Sequence, residues 1–228
     1  MEDISSHAHH VLESNLIPKY DHSRIDLEWK IALCYYSDGR FDEAEAFFQE
    51  VMDFRTKALG AEHPDTLKSA GKLALVYYAQ SRFAEAKALG FKTVEAQKII
   101  LGEEDPETLS TMCHLAMMYS DLTQWKEAEE LELQTMELRK RVLGVEHPDT
   151  LVGMSNLEYL YNCQGWWKQA EELGKQTIVA RKKVLGPEHH HTLTSMGNLA
   201  SIYLEGQPAK DEDLVKAEDL LLQVLASV

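Results

Sequence analysis

The chain has 228 residues, 44% of them hydrophobic, which suits a continuous core and excludes a disordered tail. Its 38 acidic residues outnumber 23 basic ones, and the resulting net charge of −15 repels a phosphate backbone, so no nucleic-acid partner is expected. No run of about 18 apolar residues marks a membrane span. Cys34, Cys113 and Cys163 form no C-x-x-C pair and no secretory leader is visible, so a cytoplasmic protein with free, mostly packed thiols is expected and no membrane partner.

In chain order, residues 1–22 come first, with Ala8, Val11, Leu12 and Leu16 at helical spacing. They predict a capping helix over residues 4–17 that covers the apolar edge of the neighbouring segment. A repeat then takes over. Leu59-Gly60, Leu101-Gly102, Leu143-Gly144 and Leu185-Gly186 recur every 42 residues, each followed by E-H-P-D-T-L or a variant of it. Tyr35, Tyr77, Tyr119, Tyr161 and Tyr203 keep that register, as do Ala44, Ala86, Ala128 and Ala170, with Ala217 following after five extra residues. The repeat domain therefore covers residues 23–228 in five units, about 23–60, 61–102, 103–144, 145–186 and 187–228.

Within the second unit, Leu67, Ala70, Leu73, Ala74 and Tyr77 form the apolar stripe of a first helix over 66–79. A polar break at 80–82 precedes a second helix over 83–101, and Gly102 supplies a left-handed C-cap. The hydroxyls of Thr66, Thr108, Thr150 and Thr192 suit the helix starts, as acceptors for an unpaired amide of the first turn. An isolated pair cannot bury both its faces, so the expected fold is all-α: a right-handed superhelical solenoid of five stacked helix-turn-helix repeats with an N-terminal capping helix. Its concave side, lined by first helices, is the expected binding surface.

Ala74, Ala116 and Ala200 allow close helix crossing, and Glu158 stands in the same slot. A carboxylate there needs a partner or a route to solvent, and a looser junction between the third and fourth units is expected. Glu127, Glu129, Glu130 and Glu132 are assigned to a solvated convex face. At the C-terminal end, Leu221, Leu225 and Val228 recur beside Leu214 and Leu222 on a shortened second helix. Self-association through this end is expected, the alternative being that the short helix curls inward.

The strings LGVEHPDTLVGMSNL at 143–157 and WKEAEEL at 125–131 resemble the long tetratricopeptide repeats of kinesin light chains, and still more the repeat arrays behind nucleotide-binding signalling ATPases of fungi. The resemblance covers roughly residues 24 to 228 and implies a protein-interaction array with a peptide or protein segment in its concave groove. Kinesin light chains commonly carry Asn-Asn before the Leu-Ala of the first helix. Here only Asn156 and Asn198 match, in one slot of two, so kinesin-light-chain cargo specificity does not transfer. No phosphate-binding G-x-x-x-x-G-K-[ST] occurs, so any ATPase is expected on another chain or to have been lost.

By analogy with that repeat, the groove-facing slots are Trp29, Leu33 and Tyr36, then Gly71, Leu75 and Tyr78, then Cys113, Met117 and Ser120, then Ser155, Tyr159 and Asn162, then Gly197, Ser201 and Leu204. These side chains either bind a partner or simply pack against neighbouring helices. A second line, Lys30, Lys72, His114, Asn156 and Asn198, supplies donors that favour a negatively charged segment at its lysine end, unless it is a solvated edge. His189, His190 and His191 could ligate a metal, but His189 filling the usual turn role is the simpler reading, so neither metal nor cofactor is expected. Catalytic motifs are absent. The sequence thus points to a scaffold or sensor module that binds a protein or peptide segment and is not an enzyme. The alternatives are a groove for a small apolar ligand and, last, an unrecognised enzyme using that groove.

Overall fold

The computed structural model describes residues 22–206 and 211–226; the expected capping helix lies outside the described residues. Ten α-helices, and no strand, occur among the described residues. They are α1 (His22–Ser37), α2 (Phe41–Leu59), α3 (Pro64–Ala79), α4 (Phe83–Ile100), α5 (Pro106–Asp121), α6 (Trp125–Leu143), α7 (Pro148–Cys163), α8 (Trp167–Val184), α9 (His190–Glu205) and α10 (Asp211–Ala226). The chain divides into two compact units, residues 1–118 and 119–228, so the division falls inside α5. Within each unit, helices consecutive in the chain pack side by side.

Hairpin closure follows one rule. Between first and second helix a single residue takes the left-handed conformation: Gly39 at φ 74°, Ser81 at 62°, Thr123 at 57° and Gly165 at 74°. The next residue donates its N–H to the register tyrosine, as in Arg40 to the Tyr35 carbonyl at 2.8 Å and Trp166 to that of Tyr161 at 2.8 Å. Its side chain then covers the tyrosine ring: the Arg40 and Arg82 guanidiniums stand 4.3 and 4.1 Å from the ring centres of Tyr35 and Tyr77, and Trp166 packs on Tyr161 at 5.6 Å.

Entry into the first helices corrects the sequence expectation. Histidine is the N-cap, not threonine: Nδ1 of His63, His147 and His189 accepts from the N–H two residues on, each at 3.2 Å. Asp105 does this in the third repeat. The hydroxyls of Thr66, Thr150 and Thr192 instead donate to the carbonyls of Gly60, Gly144 and Gly186 at 2.8 Å. Those three glycines and Gly102 all have positive φ, but ψ of 159° at Gly60 and 161° at Gly144 makes these two extended rather than the expected left-handed cap.

Alanine makes the close crossings: Ala44, Ala86, Ala128, Ala170 and Ala217 are fully buried, as are Ala32 and Ala200. In the first unit Ile31, Tyr35, Phe48, Leu73 and Val76 pack around them, and in the second Met136, Leu151, Leu157 and Leu160 form one cluster and Ile178, Met196, Leu199 and Ile202 another. An arginine near the end of α2, α6 and α8 staples the next hairpin. Arg55 donates to the carbonyl of Asp65 at 3.2 Å, Arg139 to that of Asp149 at 3.0 Å and Arg181 to that of His191 at 2.9 Å. Gln97 occupies the fourth such place, and both polar atoms of its buried amide have no hydrogen-bond partner.

Candidate functional site

The first-helix slots separate into open and packed positions. In the first unit Lys30, Leu33 and Met117 are exposed, whereas Leu75 and Cys113 are buried and do not reach an open surface. Trp29 is half-buried: it meets Phe48 edge-on at 5.1 Å and lies under the Arg55 guanidinium, so it belongs to the edge of the core. Tyr36 and Tyr78, also half-buried, pack on Phe41 and Phe83 at 5.7 Å each, at the start of the following helix. Lys72 and His114 are half-buried. Leu75 and Cys113 are thus packed, while Trp29, Tyr36 and Tyr78 are each partly covered by a neighbouring ring.

In the second unit Tyr159 is 55% exposed and Asn198 is exposed, beside half-buried Asn156 and Asn162. The amide of Asn156 is engaged, donating to Glu132 Oε1 at 3.3 Å. That of Asn162 donates to Glu205 at 3.2 Å. Glu158, Tyr159, Asn162, Asn198, Ser201 and Glu205 line a cleft of about 220 Å³ on α7 and α9. A larger cleft of about 380 Å³ in the first unit lies against α1 and α2, bordered by Glu28, Glu50, Asp53 and Lys57.

Two carboxylates are buried, one in the packed slot where it was expected and one against the sequence expectation. Glu132, assigned there to a solvated face, is fully buried on α6, and one of its oxygens has no hydrogen-bond partner. Glu158 is 1% exposed, and neither oxygen has one. Burial raises both carboxyls to about 7, against the opposing pull of Arg139 on Glu132 and of Arg181 on Glu158. Arg181 directs its donors elsewhere, to the His191 and Leu151 carbonyls and to Ser195 Oγ. Room for the two side chains comes from glycine, Gly153 facing Glu132 and Gly174 facing Glu158. Spacing alone could not reveal this, but glycine within a helical stripe was a readable signal of close approach.

Of the cysteines, Cys113 is buried while Cys34 and Cys163 are exposed, so the thiols are less packed than expected. No metal-holding group of three or more His, Cys, Asp or Glu residues occurs among the described residues. Nor is any helix among them long and apolar enough to cross a membrane.

Among the described residues, ten helices in consecutive hairpins, closed by one turn and one cap repeated every 42 residues, define an α-helical repeat protein. Tetratricopeptide repeat models match residues 23–99, 108–149 and 150–191, and the chain belongs to the tetratricopeptide repeat family. It is similar to the kinesin-light-chain-type, nearly identical TPR-like repeats of Podosopora anserina: 31% identity, 90% of this chain and 95% of that one, TM-score 0.75. The fold also matches a STAND signal transduction ATPase of Pyrococcus horikoshii that carries a tetratricopeptide repeat sensor, at 12% identity, 98% of this chain, 33% of that one and TM-score 0.75. A nucleotide-binding leucine-rich repeat (NLR)-like protein of Hyaloscypha variabilis is 41% identical over 64 residues. That stretch is 28% of this chain and 6% of the relative, so the chain spans a small part of it.

Proposed function

We propose that this chain is a recognition module, a scaffold or sensor, whose first-helix face in each unit binds a protein or peptide segment in the cytoplasm. One observation carries this reading: Leu33, Met117, Tyr159 and Leu204, all on first helices, keep between 36% and 55% of their surface exposed. Apolar and aromatic side chains held open on a rigid helical frame are ready-made anchors for a polypeptide, because the frame has already met the ordering cost. The clefts favour a polypeptide over a small apolar ligand, since each is bordered by charged side chains. Kinship with an NLR-like protein and the sensor repeat of a STAND ATPase supports service beside a nucleotide-binding signalling domain.

Photocrosslinking tests the reading. A benzophenone amino acid in place of Tyr159 should capture a partner from the source cell, and the same group in place of Val179, 69% exposed on second helix α8, should not. Equal capture at both places, or capture at 179 alone, would overturn it.

A second reading concerns self-association. Leu214, Val215, Leu221, Leu222 and Leu225 on α10 are 40% to 71% exposed, which supports a second copy of the chain as their cover.

A further inference from the structure

We infer that the cleft on α7 and α9 is a cation subsite that takes the ammonium group of a lysine side chain from the bound segment. The inference rests on the first-helix face being the binding surface and names the chemistry recognised there.

The cleft gathers several acceptors that lack a donor. Glu158 forms its floor, with both oxygens buried and neither hydrogen-bonded. Asn162 Oδ1 is likewise buried without a partner, because the amide nitrogen of that residue is turned to Glu205 at 3.2 Å. Ser201 donates its hydroxyl hydrogen to the Gly197 carbonyl at 3.2 Å, which leaves its lone pairs toward an incoming donor. Among the described residues no cationic side chain lines the cleft, and its two carboxylates, Glu158 and Glu205, belong to a chain of net charge −15. Arg181 is the charge facing Glu158 from α8, and its hydrogen bonds go to two carbonyls and Ser195, not to the carboxylate.

A buried acceptor set without donors is costly until a donor arrives, and a cation satisfies it best. Lysine fits better than arginine. Its ammonium is compact and carries three donors, matching Glu158, Asn162 and Ser201, whereas a planar guanidinium with five would leave some unpaired at the floor. At about 220 Å³ the cleft is smaller than a drug-sized site of about 300 Å³ or more and suits one side chain. The half-exposed Tyr159 ring and Ile202 at the wall offer an apolar surface to the four-carbon stem. The expected segment is therefore basic at this end of the chain, opposite to the acidic one that Lys30 and Lys72 suggest at the other.

The test titrates the tripeptide N-acetyl-Gly-Lys-Gly-amide into the whole chain, following NMR shifts of α7 and α9 amides and of the Glu158 carboxyl. Binding should be saturable, weaken by about tenfold in Glu158→Gln and strengthen as pH rises above about 7, where Glu158 ionises. Acetylation of the lysine should abolish it. Glu205→Gln, which leaves the buried floor untouched, should also weaken it, and Glu130→Gln on exposed α6 surface should not. No shifts up to about 10 mM, equal affinity in Glu158→Gln, or shifts scattered over other acidic helices would overturn the subsite. So would calcium ions causing the same shifts at lower concentration than the tripeptide, since the site would then be a metal site. None of these results bears on photocrosslinking from position 159, so the subsite and the binding face fail separately.

Discussion

The carboxylate of Glu158 and the backbone of Gly174 occupy one space: a Cβ built on Gly174 would stand 2.8 Å from Glu158 Oε1 and 3.1 Å from its Cδ. In the register of the other repeats, Ala32, Ala74, Ala116 and Ala200 correspond to Glu158, and Phe48, Gly90 and Glu132 correspond to Gly174. Size removed on α8 is what admits the acid on α7.

Gly174→Ala should therefore destabilise the chain by about 1–3 kcal/mol despite the helix preference of alanine. Glu158→Ala alone should stabilise it by roughly 0.5–2 kcal/mol at neutral pH, since it removes a buried carboxylate with no hydrogen bond. In the double variant most of the Gly174→Ala cost should disappear. Urea unfolding of the four proteins gives the coupling directly. Additive effects would show that the two residues do not share the space.

Stability should also fall as the solution turns from weakly acidic to weakly basic. Glu132 and Glu158 hold their protons in the folded chain up to about pH 7, whereas unfolding returns them to an ordinary 4.5. Below 4.5 both states are neutral and nothing is lost; through the interval the folded chain holds more protons, so its stability declines as pH rises. The loss is on the order of 3 kcal/mol per residue once pH exceeds the folded value. Melting temperatures at about pH 5 and about pH 8 should differ in that sense, and Glu132→Gln with Glu158→Gln should flatten the profile. A wild-type profile as flat as that of the double variant would refute the assignment.

Thr123→Gly should raise stability. Thr123 sits at φ 57°, where a β-branched side chain meets the backbone, while Gly39 and Gly165 fill the corresponding turn places. Relief of that strain exceeds the added flexibility of the unfolded glycine chain, for a net gain of about 0.5–1 kcal/mol. Ser81→Gly, at φ 62°, should act in the same direction. A lower urea midpoint for Thr123→Gly would contradict the turn geometry.

The apolar face of α10 should make the chain associate. Leu221 and Leu225 are 40% and 71% exposed, and Leu221→Glu with Leu225→Glu should yield a monomer in sedimentation equilibrium at micromolar protein. If the unsubstituted chain is already monomeric and binds no apolar dye, the second-copy reading is wrong.

The order and extent of the helices were legible in the linear sequence because their causes are local. Apolar stripes, turn glycines and the 42-residue register place each helix to within about two residues, as for the expected 66–79 and 83–101 against the observed Pro64–Ala79 and Phe83–Ile100. The candidate binding face came slot by slot from the resemblance to the long tetratricopeptide repeat. That analogy could not separate Leu33, which stays open, from Leu75 and Cys113, which are covered, because exposure depends on side chains arriving from other helices. Nor could it tell that His63 and not Thr66 caps α3, since both lie within reach of the first turn and only the path of the chain decides which atom faces the amide. The alanine register placed Glu158 at a packed crossing, but the buried state of Glu132 was out of reach. A charged residue in an acidic stripe reads as solvated until the backbone of Gly153 is brought against it, and desolvation, which sets its chemistry, is a property of what surrounds a group and not of its place in the chain.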